Sequence, residues 1–260
     1  MVLQCYLSDV IRQFADKGAE HEFQKEKDTE NYIIDHHSYS GAGDDCSYIA
    51  VVFISGIERN FKMKNVLKAI ERGIVKGAIW IYCKVVYRFK LVGKENIPKE
   101  GQVIICGNHR SFLDPPLIEV TTGRYTRFLA KEELTKNKFF AYLGYVFDSI
   151  LVKRDSKEVI ALKESLKTLK NGDCLALFPE GTRNGLAKGE KVKDGAAFFA
   201  VRSGAPVVPC GIKGGEKGNR KITITYGKPL DFSEYKGSKD KEVLDKVTEE
   251  IMSNIIELTK

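Results

Sequence analysis

Short apolar runs alternate with segments of helical periodicity from Gly101 to the end of the chain. The apolar runs predict the strands Val103–Cys106, Arg127–Ala130, Ile150–Val152, Cys174–Phe178, Val207–Ile212 and Ile222–Tyr226. The segments between and after them predict helices or helical turns at Pro116–Thr121, Lys136–Phe147, Lys157–Lys170, Gly195–Ser203 and Lys239–Leu258. This alternation is typical of an α/β domain with a mostly parallel sheet flanked by helices.

A basic amphipathic helix is predicted ahead of this domain, from about Phe61 to Phe89. Apolar residues recur every three or four positions and form one stripe: Val66, Ile70, Ile74, Ala78, Ile81 and Val85. Lys68, Arg72 and Lys76 fall nearly opposite that stripe. With Trp80, Tyr82 and Tyr87 nearby, such a helix suits the headgroup zone of an anionic bilayer. The alternative is a helix packed on its own domain with a solvated basic face.

The first segment of the chain, to about Gly56, has a different pattern. It contains a short helical pattern at Leu7–Ala15 and then a polar, charged stretch. The apolar run Tyr48–Ile54 follows a glycine- and aspartate-rich turn and is predicted to be a strand. One helix and about two strands are too little to form a core.

Charge divides the chain at the same place. The net charge is +7, yet residues 1–57 carry four Lys or Arg against ten Asp or Glu, a balance of −6, so residues 58–260 hold +13. We therefore predict an acidic segment 1–57, a basic helical region 58–95 and a catalytic domain 96–260. The charge of the last two indicates an anionic partner.

Cysteine usage and hydropathy restrict the compartment. None of the six cysteines forms a Cys-x-x-Cys pair, and Cys106, Cys174 and Cys210 lie in apolar runs typical of a core. No N-terminal stretch has the layout of a secretory signal. The best apolar run, Ile74–Val86, is interrupted by two lysines and is shorter than the ~20 residues of a spanning helix. We expect a peripheral protein on the cytoplasmic face of a membrane.

Two predicted strands run directly into polar, titratable residues. Val103–Cys106 leads into Gly107-Asn108-His109-Arg110-Ser111-Phe112-Leu113-Asp114-Pro115. A histidine can take a proton from a hydroxyl, and a nearby carboxylate can fix its tautomer and stabilise the imidazolium. The spacing of His109 and Asp114 suits this chemistry if the turn before the next helix folds Asp114 back. Alone, the pattern is weak, because a histidine at a strand end is often structural.

The second such segment is Phe178-Pro179-Glu180-Gly181-Thr182-Arg183, directly after the strand Cys174–Phe178. Gly181 would let the backbone approach a ligand closely, and Arg183 offers a planar fork for a phosphate. Ligands gather at the carboxyl ends of strands in sheets of this kind. The two segments are therefore predicted to share one site.

Together these segments resemble the signature of the glycerol-phosphate acyltransferase family, and most closely its lysophosphatidic acid acyltransferases. Residues 108–115 resemble the first block of that signature and residues 178–183 the third, while Val207–Ile212 is similar to the fourth. Residues 131–134, followed by Arg154, resemble the second block. The resemblance covers roughly residues 64–235. In the family a glycine usually precedes the second-block arginine, where this chain has Asp148.

The resemblance implies an acyl transfer from acyl-CoA or acyl-carrier protein to 1-acyl-glycerol-3-phosphate. His109 would be the general base and Asp114 would orient it, with no metal or dissociable cofactor. Arg154 and Arg183 would hold the acceptor phosphate, with Lys131 as a weaker candidate for the same cluster. Glu180 would bind the glycerol hydroxyl region or hold the arginines.

A second resemblance concerns the acidic segment. Residues 43–53 are similar to the closing stretch of 2C-type metal-dependent serine/threonine phosphatases, and the helical pattern near Leu7 fits before it. Most of that fold and its metal ligands would be missing, so residues 1–57 are interpreted as a remnant or a wrongly joined reading frame. The polar clusters Asp35-His36-His37 and Asp44-Asp45 are interpreted as solvated loops, not metal sites.

Two other functions fit part of the sequence. A nucleic-acid binder would account for the basic charge, but the basic residues lie on an Ile/Val-rich helix and no known nucleic-acid motif occurs. A catalytically inactive membrane-binding module of the same fold would require His109 or Asp114 to be replaced. Both residues are present.

Overall fold

The computed structural model describes residues 44–152, 158–189, 191–215 and 220–260, with side chains of the first helix described from Met63 onward. The chain divides into two compact units, 1–75 and 76–260. Helix α1 begins at Asp44 and ends at Val86, so residues 76–86 belong to the second unit. Within the described ranges, no helix is both long enough and apolar enough to cross a bilayer.

The strand predicted at Tyr48–Ile54 is wrong, because these residues lie inside α1. A seven-residue apolar run fits a buried strand and one side of a helix equally well, and only length separates the two. The helical pattern predicted at Leu7–Ala15 lies outside the described residues.

The second unit contains a seven-stranded sheet with the order β1-β7-β6-β2-β5-β3-β4. The strands are β1 (Arg88–Val92), β2 (Val103–Gly107), β3 (Thr126–Lys131), β4 (Ile150–Val152), β5 (Cys174–Leu177), β6 (Val207–Gly214) and β7 (Lys221–Tyr226). Every neighbouring pair is parallel except β6 and β7. The mostly parallel α/β sheet predicted from the sequence is confirmed.

Strand β1 was missed, because the helical region was predicted to continue through it. Its residues alternate between exposed and partly buried, and Phe89 and Leu91 pack against the core. Arg88 is in register with Lys221 of β7, to which β1 runs parallel. The turn to this edge strand follows directly after the end of α1 at Val86.

Helices cover both faces of the sheet. They are α2 (Asp114–Thr122), α3 (Lys138–Val146), α4 (Glu158–Lys170), α5 (Gly195–Ser203) and α6 (Lys241–Glu257). One core layer joins α4, α5 and α6 to residues such as Ile104 and Leu175, and the other joins α2 to residues such as Ile105 and Cys210. The central strands β2 and β5 are buried along their whole length. They form a rigid base for the loops that follow them.

The apolar stripe of α1 is exposed. In the second unit, Ile81 and Val85 are 51% and 79% exposed, and Ile74 in the first unit is 63% exposed. Lys76, predicted to lie opposite the stripe, is buried, and its Nζ lies 2.7 Å from a carboxylate oxygen of Glu119 on α2. The prediction that Lys76 belongs to a basic surface is therefore wrong, since a buried carboxylate neutralises its charge.

Candidate active site

The candidate site lies where β2 and β5, neighbours in the sheet, end at the same edge. The loop of residues 108–113 follows β2, and the loop of residues 178–185 follows β5. The two loops meet at the backbone, where the N–H of Asn184 donates to the carbonyl of His109 at 2.6 Å. The structure thus brings together the two segments that the sequence predicted to share a site.

Asn108 fastens the first loop to the neighbouring strand β6. Its buried side chain donates to the carbonyl of Ile212 at 2.9 Å and accepts from the N–H of Ile212 at 2.7 Å. This paired contact uses both ends of the amide, as a strand partner would. It holds the backbone immediately before His109 in place.

His109 and Asp114 form a hydrogen-bonded pair, with 2.9 Å between Nδ1 and Oδ2. Asp114 is the first residue of α2, and the prolines that follow it suit the first helical turn. Its Oδ2 also accepts from the N–H groups of Arg110, at 2.5 Å, and Ser111, at 2.7 Å. The turn folds Asp114 back onto His109, as the spacing predicted.

This pairing sets the chemistry of the imidazole. A carboxylate can only accept, so Nδ1 carries the proton and Nε2 is the basic nitrogen. Asp114 is 2% exposed at its side chain and His109 is 18% exposed, which leaves the ring accessible from one side. The ring also stacks on Phe178, with 4.3 Å between centroids and 21° between planes. A histidine held in this way is suited to take a proton from a hydroxyl.

Glu180 points inward at the base of the same loop. It is 5% exposed, and its Oε1 accepts from the backbone N–H of His109 at 3.0 Å. Together with the bond from Asn184, this contact ties both backbone polar groups of His109 to the second loop. The sequence placed Glu180 near the acceptor or the arginines, and did not predict a contact with the histidine backbone.

Gly181 and Arg183 form the outer part of that loop. Gly181 has φ of +67°, in the left-handed region that favours glycine, and its N–H donates to the carbonyl of Phe178 at 2.9 Å. Arg183 is exposed, and its guanidinium lies 3.6 Å from the centre of the Phe112 ring. Phe112 in turn stacks on Phe140 of α3 at 4.8 Å. The planar fork is thus supported on one face and open on the other.

The structure describes only part of the segment that resembles the second block of the family signature, residues 131–134 and Arg154. Lys131 is exposed at the carboxyl end of β3, which β5 separates from β2. Arg154 lies outside the described residues. Asp148, which stands where the family usually has glycine, adopts φ of +48°. The position therefore requires left-handed backbone, which aspartate tolerates better than most residues.

A cleft of about 200 Å³ adjoins the pair on the β6 side. Its lining combines polar and apolar residues: Arg110, Ser111, Leu113, Asp114, Leu117, Asn184, Ile212, Gly214, Gly215 and Ile222. The cleft could not be predicted from the sequence, because the end of β6 and the start of β7 carry no titratable motif. Asn108, in contrast, could have been found from the sequence, because it directly precedes His109.

The three cysteines predicted to be core residues are buried and unpaired. Burial raises the pKa of the Cys174 thiol to about 12, and it also raises the pKa of Cys106 and Cys210. The charge of Asp114 contributes to the raised pKa of Cys210. A thiol with a raised pKa stays protonated and is a poor nucleophile. These cysteines contribute packing to the two core layers of the sheet.

The range that contains both loops is similar to known proteins. An acyltransferase family model matches residues 88–213, a range that contains both loops. The chain is 29% identical over 175 residues to the 1-acyl-sn-glycerol-3-phosphate acyltransferase of Bacillus subtilis, which covers 65% of this chain and 87% of that protein. It is 32% identical over 141 residues to the protein of the same name from Borreliella burgdorferi, covering 53% of this chain and 55% of that one.

A solved structure is also similar. The crystal structure of the 1-acyl-sn-glycerophosphate (LPA) acyltransferase PlsC from Thermotoga maritima matches with a TM-score of 0.55 and 28% sequence identity. The match covers 81% of this chain and 88% of that one. The match therefore extends beyond the range 88–213 that the family model covers.

Proposed function

The chain belongs to the acyltransferase family, and we propose that it acylates the free hydroxyl of 1-acyl-glycerol-3-phosphate to give phosphatidic acid. The acyl group would come from acyl-CoA or acyl-carrier protein. The observation that carries this proposal is the 2.9 Å contact between His109 Nδ1 and Asp114 Oδ2, which leaves Nε2 as a base. The choice of acceptor is taken from the names of the similar proteins, which are 1-acyl-sn-glycerol-3-phosphate acyltransferases.

The reaction needs one proton to move twice. Nε2 of His109 takes the proton of the acceptor hydroxyl as its oxygen attacks the thioester carbonyl carbon. The carbon–sulfur bond then breaks, and the imidazolium gives that proton to the departing thiolate, which leaves as a thiol. Asp114 stabilises that imidazolium while it exists. The thioester itself supplies the activation, so the proposed mechanism uses no metal or dissociable cofactor.

Recognition of the acceptor would centre on its phosphate. Arg183 has a guanidinium open on one face and supported by Phe112 on the other, a geometry suited to bidentate binding of a phosphate. We assign Arg154 and Lys131 to the same group on the family resemblance. Gly181 would let the loop backbone approach the glycerol, and Glu180 would act mainly by holding the backbone of His109.

The proposed acceptor resides in a bilayer, so the protein would work at the cytoplasmic face of a membrane as a peripheral protein. The exposed apolar stripe of α1, with Ile81 and Val85, supports a contact with the bilayer there. Lys76 cannot supply the charge for that contact, because it pairs with Glu119. Lys84, the exposed lysine in the last turn of α1, has its ammonium 4.9 Å from the centre of the Trp80 ring and would supply a cation to anionic headgroups.

An acyl-transfer assay on the purified full chain tests the proposal. Lysophosphatidate and glycerol-3-phosphate serve as alternative acceptors, and acyl-CoA and acyl-carrier protein as alternative donors. We expect phosphatidic acid from lysophosphatidate with at least one donor. Absence of transfer in every combination, by a protein that binds vesicles, would instead identify an inactive membrane-binding module.

A further inference from the structure

Helix α3 exposes an apolar face beside the active site. Among its nine residues, all of which the structure describes, only Val146 is buried. Three aromatic side chains are largely exposed: Phe139 at 63%, Tyr142 at 42% and Tyr145 at 58%. Leu134, in the 3-10 turn at Glu132–Lys136 that precedes α3, is 39% exposed. Clustered exposed apolar residues of this kind mark an interaction surface.

The charges around this face favour an anionic, interfacial partner. Lys131, Lys136 and Lys138 are exposed around it, against the two carboxylates of Glu132 and Glu133. Long lysine stems can lie along an apolar surface while the ammonium groups reach headgroups. Tyrosines at the margin of an apolar face are typical of the zone between hydrocarbon and water.

Ring contacts connect the same face to the active site. Phe139 contacts Phe140 at 5.6 Å between centroids, Phe140 stacks on Phe112 at 4.8 Å, and Phe112 supports the guanidinium of Arg183. An aromatic path therefore runs from the exposed surface of α3 to the proposed phosphate site. A lipid whose phosphate lies at Arg183 would have its bilayer on the side of α3.

We propose that α3, with the 3-10 turn before it, is a second membrane-docking surface, located in the catalytic unit itself and inserting into an anionic bilayer. It acts in addition to the stripe of α1 and brings the proposed phosphate site at Arg183 to the lipid. This inference rests on the proposed function only for the identity of the lipid acceptor. The docking itself is measured separately from catalysis.

Vesicle binding by the full chain tests the proposal. The variant F139S/Y142S/Y145S should bind phosphatidylcholine vesicles containing phosphatidylglycerol at least about tenfold more weakly than the wild type, because three aromatic side chains no longer enter the bilayer. Ile256→Ser on α6, where the replaced side chain is 44% exposed, is the matched control and should bind normally. Lys136→Glu with Lys138→Glu should weaken binding in a salt-dependent way, by about fivefold for each lysine.

A turnover assay separates failure of docking from failure of the proposed function. The double variant Y142S/Y145S, which keeps the ring contact between Phe139 and Phe140, should acylate a short-chain, monomeric lysophosphatidate at the wild-type rate. Wild-type protein that fails to acylate this acceptor would refute the proposed function and leave the vesicle result standing. Vesicle binding by the triple variant within twofold of the wild type, or an equal loss in Ile256→Ser, would refute the docking surface.

Fluorescence gives a test that does not depend on loss of binding. The chain has a single tryptophan, Trp80. In a Trp80→Phe background, Tyr145→Trp places the only tryptophan on the exposed side of α3. Brominated lipids in anionic vesicles should quench its emission strongly, whereas the same probe introduced by Ile256→Trp should be quenched little. Equal quenching of the two probes, or none at either, would overturn the proposal.

Discussion

The backbone N–H of His109 donates to Oε1 of Glu180 across the two site loops, at 3.0 Å. Because Glu180 is buried, this bond holds the backbone of His109 in place against the loop that follows β5. The bond therefore joins the segment 178–183 to the segment 108–115. Within the first of these segments, the Glu180 carboxylate points inward and the Arg183 side chain is exposed.

Glu180→Ala should lower kcat while changing the KM for the acceptor little. The N–H of His109 would lose a buried acceptor, at a cost of about 1–3 kcal/mol, and the ring would lose its fixed position. Glu180→Gln keeps an oxygen that can accept the bond and should restore most of kcat. Steady-state kinetics of the two variants decide this. A loss confined to acceptor KM, and equal in both, would indicate that Glu180 binds substrate directly.

Arg183→Ala should raise the KM for lysophosphatidate by about tenfold to a hundredfold, the range expected for one charge-assisted contact. Donor KM should change little, because the proposed role of the guanidinium is confined to the acceptor phosphate. Arg202→Ala, at an exposed arginine on α5, is the matched control. If Arg183→Ala and Arg202→Ala have the same acceptor KM, Arg183 does not bind the phosphate.

Asp148 occupies left-handed backbone, and its carboxylate accepts from the Tyr125 hydroxyl at 2.8 Å. Both Asp148→Ala and Asp148→Gly lose this bond, but only alanine is strained in the left-handed backbone. The free energy of unfolding of Asp148→Ala, measured by denaturant titration, should therefore be about 1 kcal/mol lower than that of Asp148→Gly. Tyr125→Phe removes the bond alone and serves as the control. Equal stability of the alanine and glycine variants would show that the left-handed conformation costs little here.

Buried thiols make the stability fall in alkali. Burial raises the pKa of Cys174 from 9.0 to about 12 in the folded chain. The folded state thus holds the proton more tightly, so this contribution is complete below about pH 9 and is lost as pH rises towards 12. Between pH 9 and pH 10, the free energy of unfolding of the wild type should fall more steeply than that of Cys174→Ala, by up to about 1.4 kcal/mol. Identical slopes would contradict the raised pKa.

Much of the catalytic unit could be predicted from the sequence because its signals are local. Strand β4 at Ile150–Val152 and helix α5 at Gly195–Ser203 have the bounds that the pattern predicted. His109 and Asp114 were recognisable because both sit within a few residues of one buried strand. Strand ends at a shared edge of a parallel sheet then bring the second loop beside them.

Contacts between distant residues could not be predicted in this way. Nothing local distinguishes Lys76, buried against Glu119, from a solvated lysine on the same helical face. Strand β1 was missed because Arg88 and Lys90 continued the basic composition of α1, while the pairing with β7 that defines the strand involves residues more than 130 positions away. The exposed face of α3 could not be predicted either, because the periodicity of a helix does not reveal how far each of its faces is exposed.

The most direct test of the proposed function compares His109→Ala, Asp114→Asn and the wild type in acylation of monomeric lysophosphatidate under saturating donor. General-base catalysis alone is worth about 10²–10⁴-fold, so His109→Ala should lose transfer by at least that factor while its thermal unfolding midpoint stays near that of the wild type. Asp114→Asn should also be impaired, because an amide cannot stabilise the imidazolium as a carboxylate does. Turnover by His109→Ala within a few-fold of the wild type would contradict the mechanism.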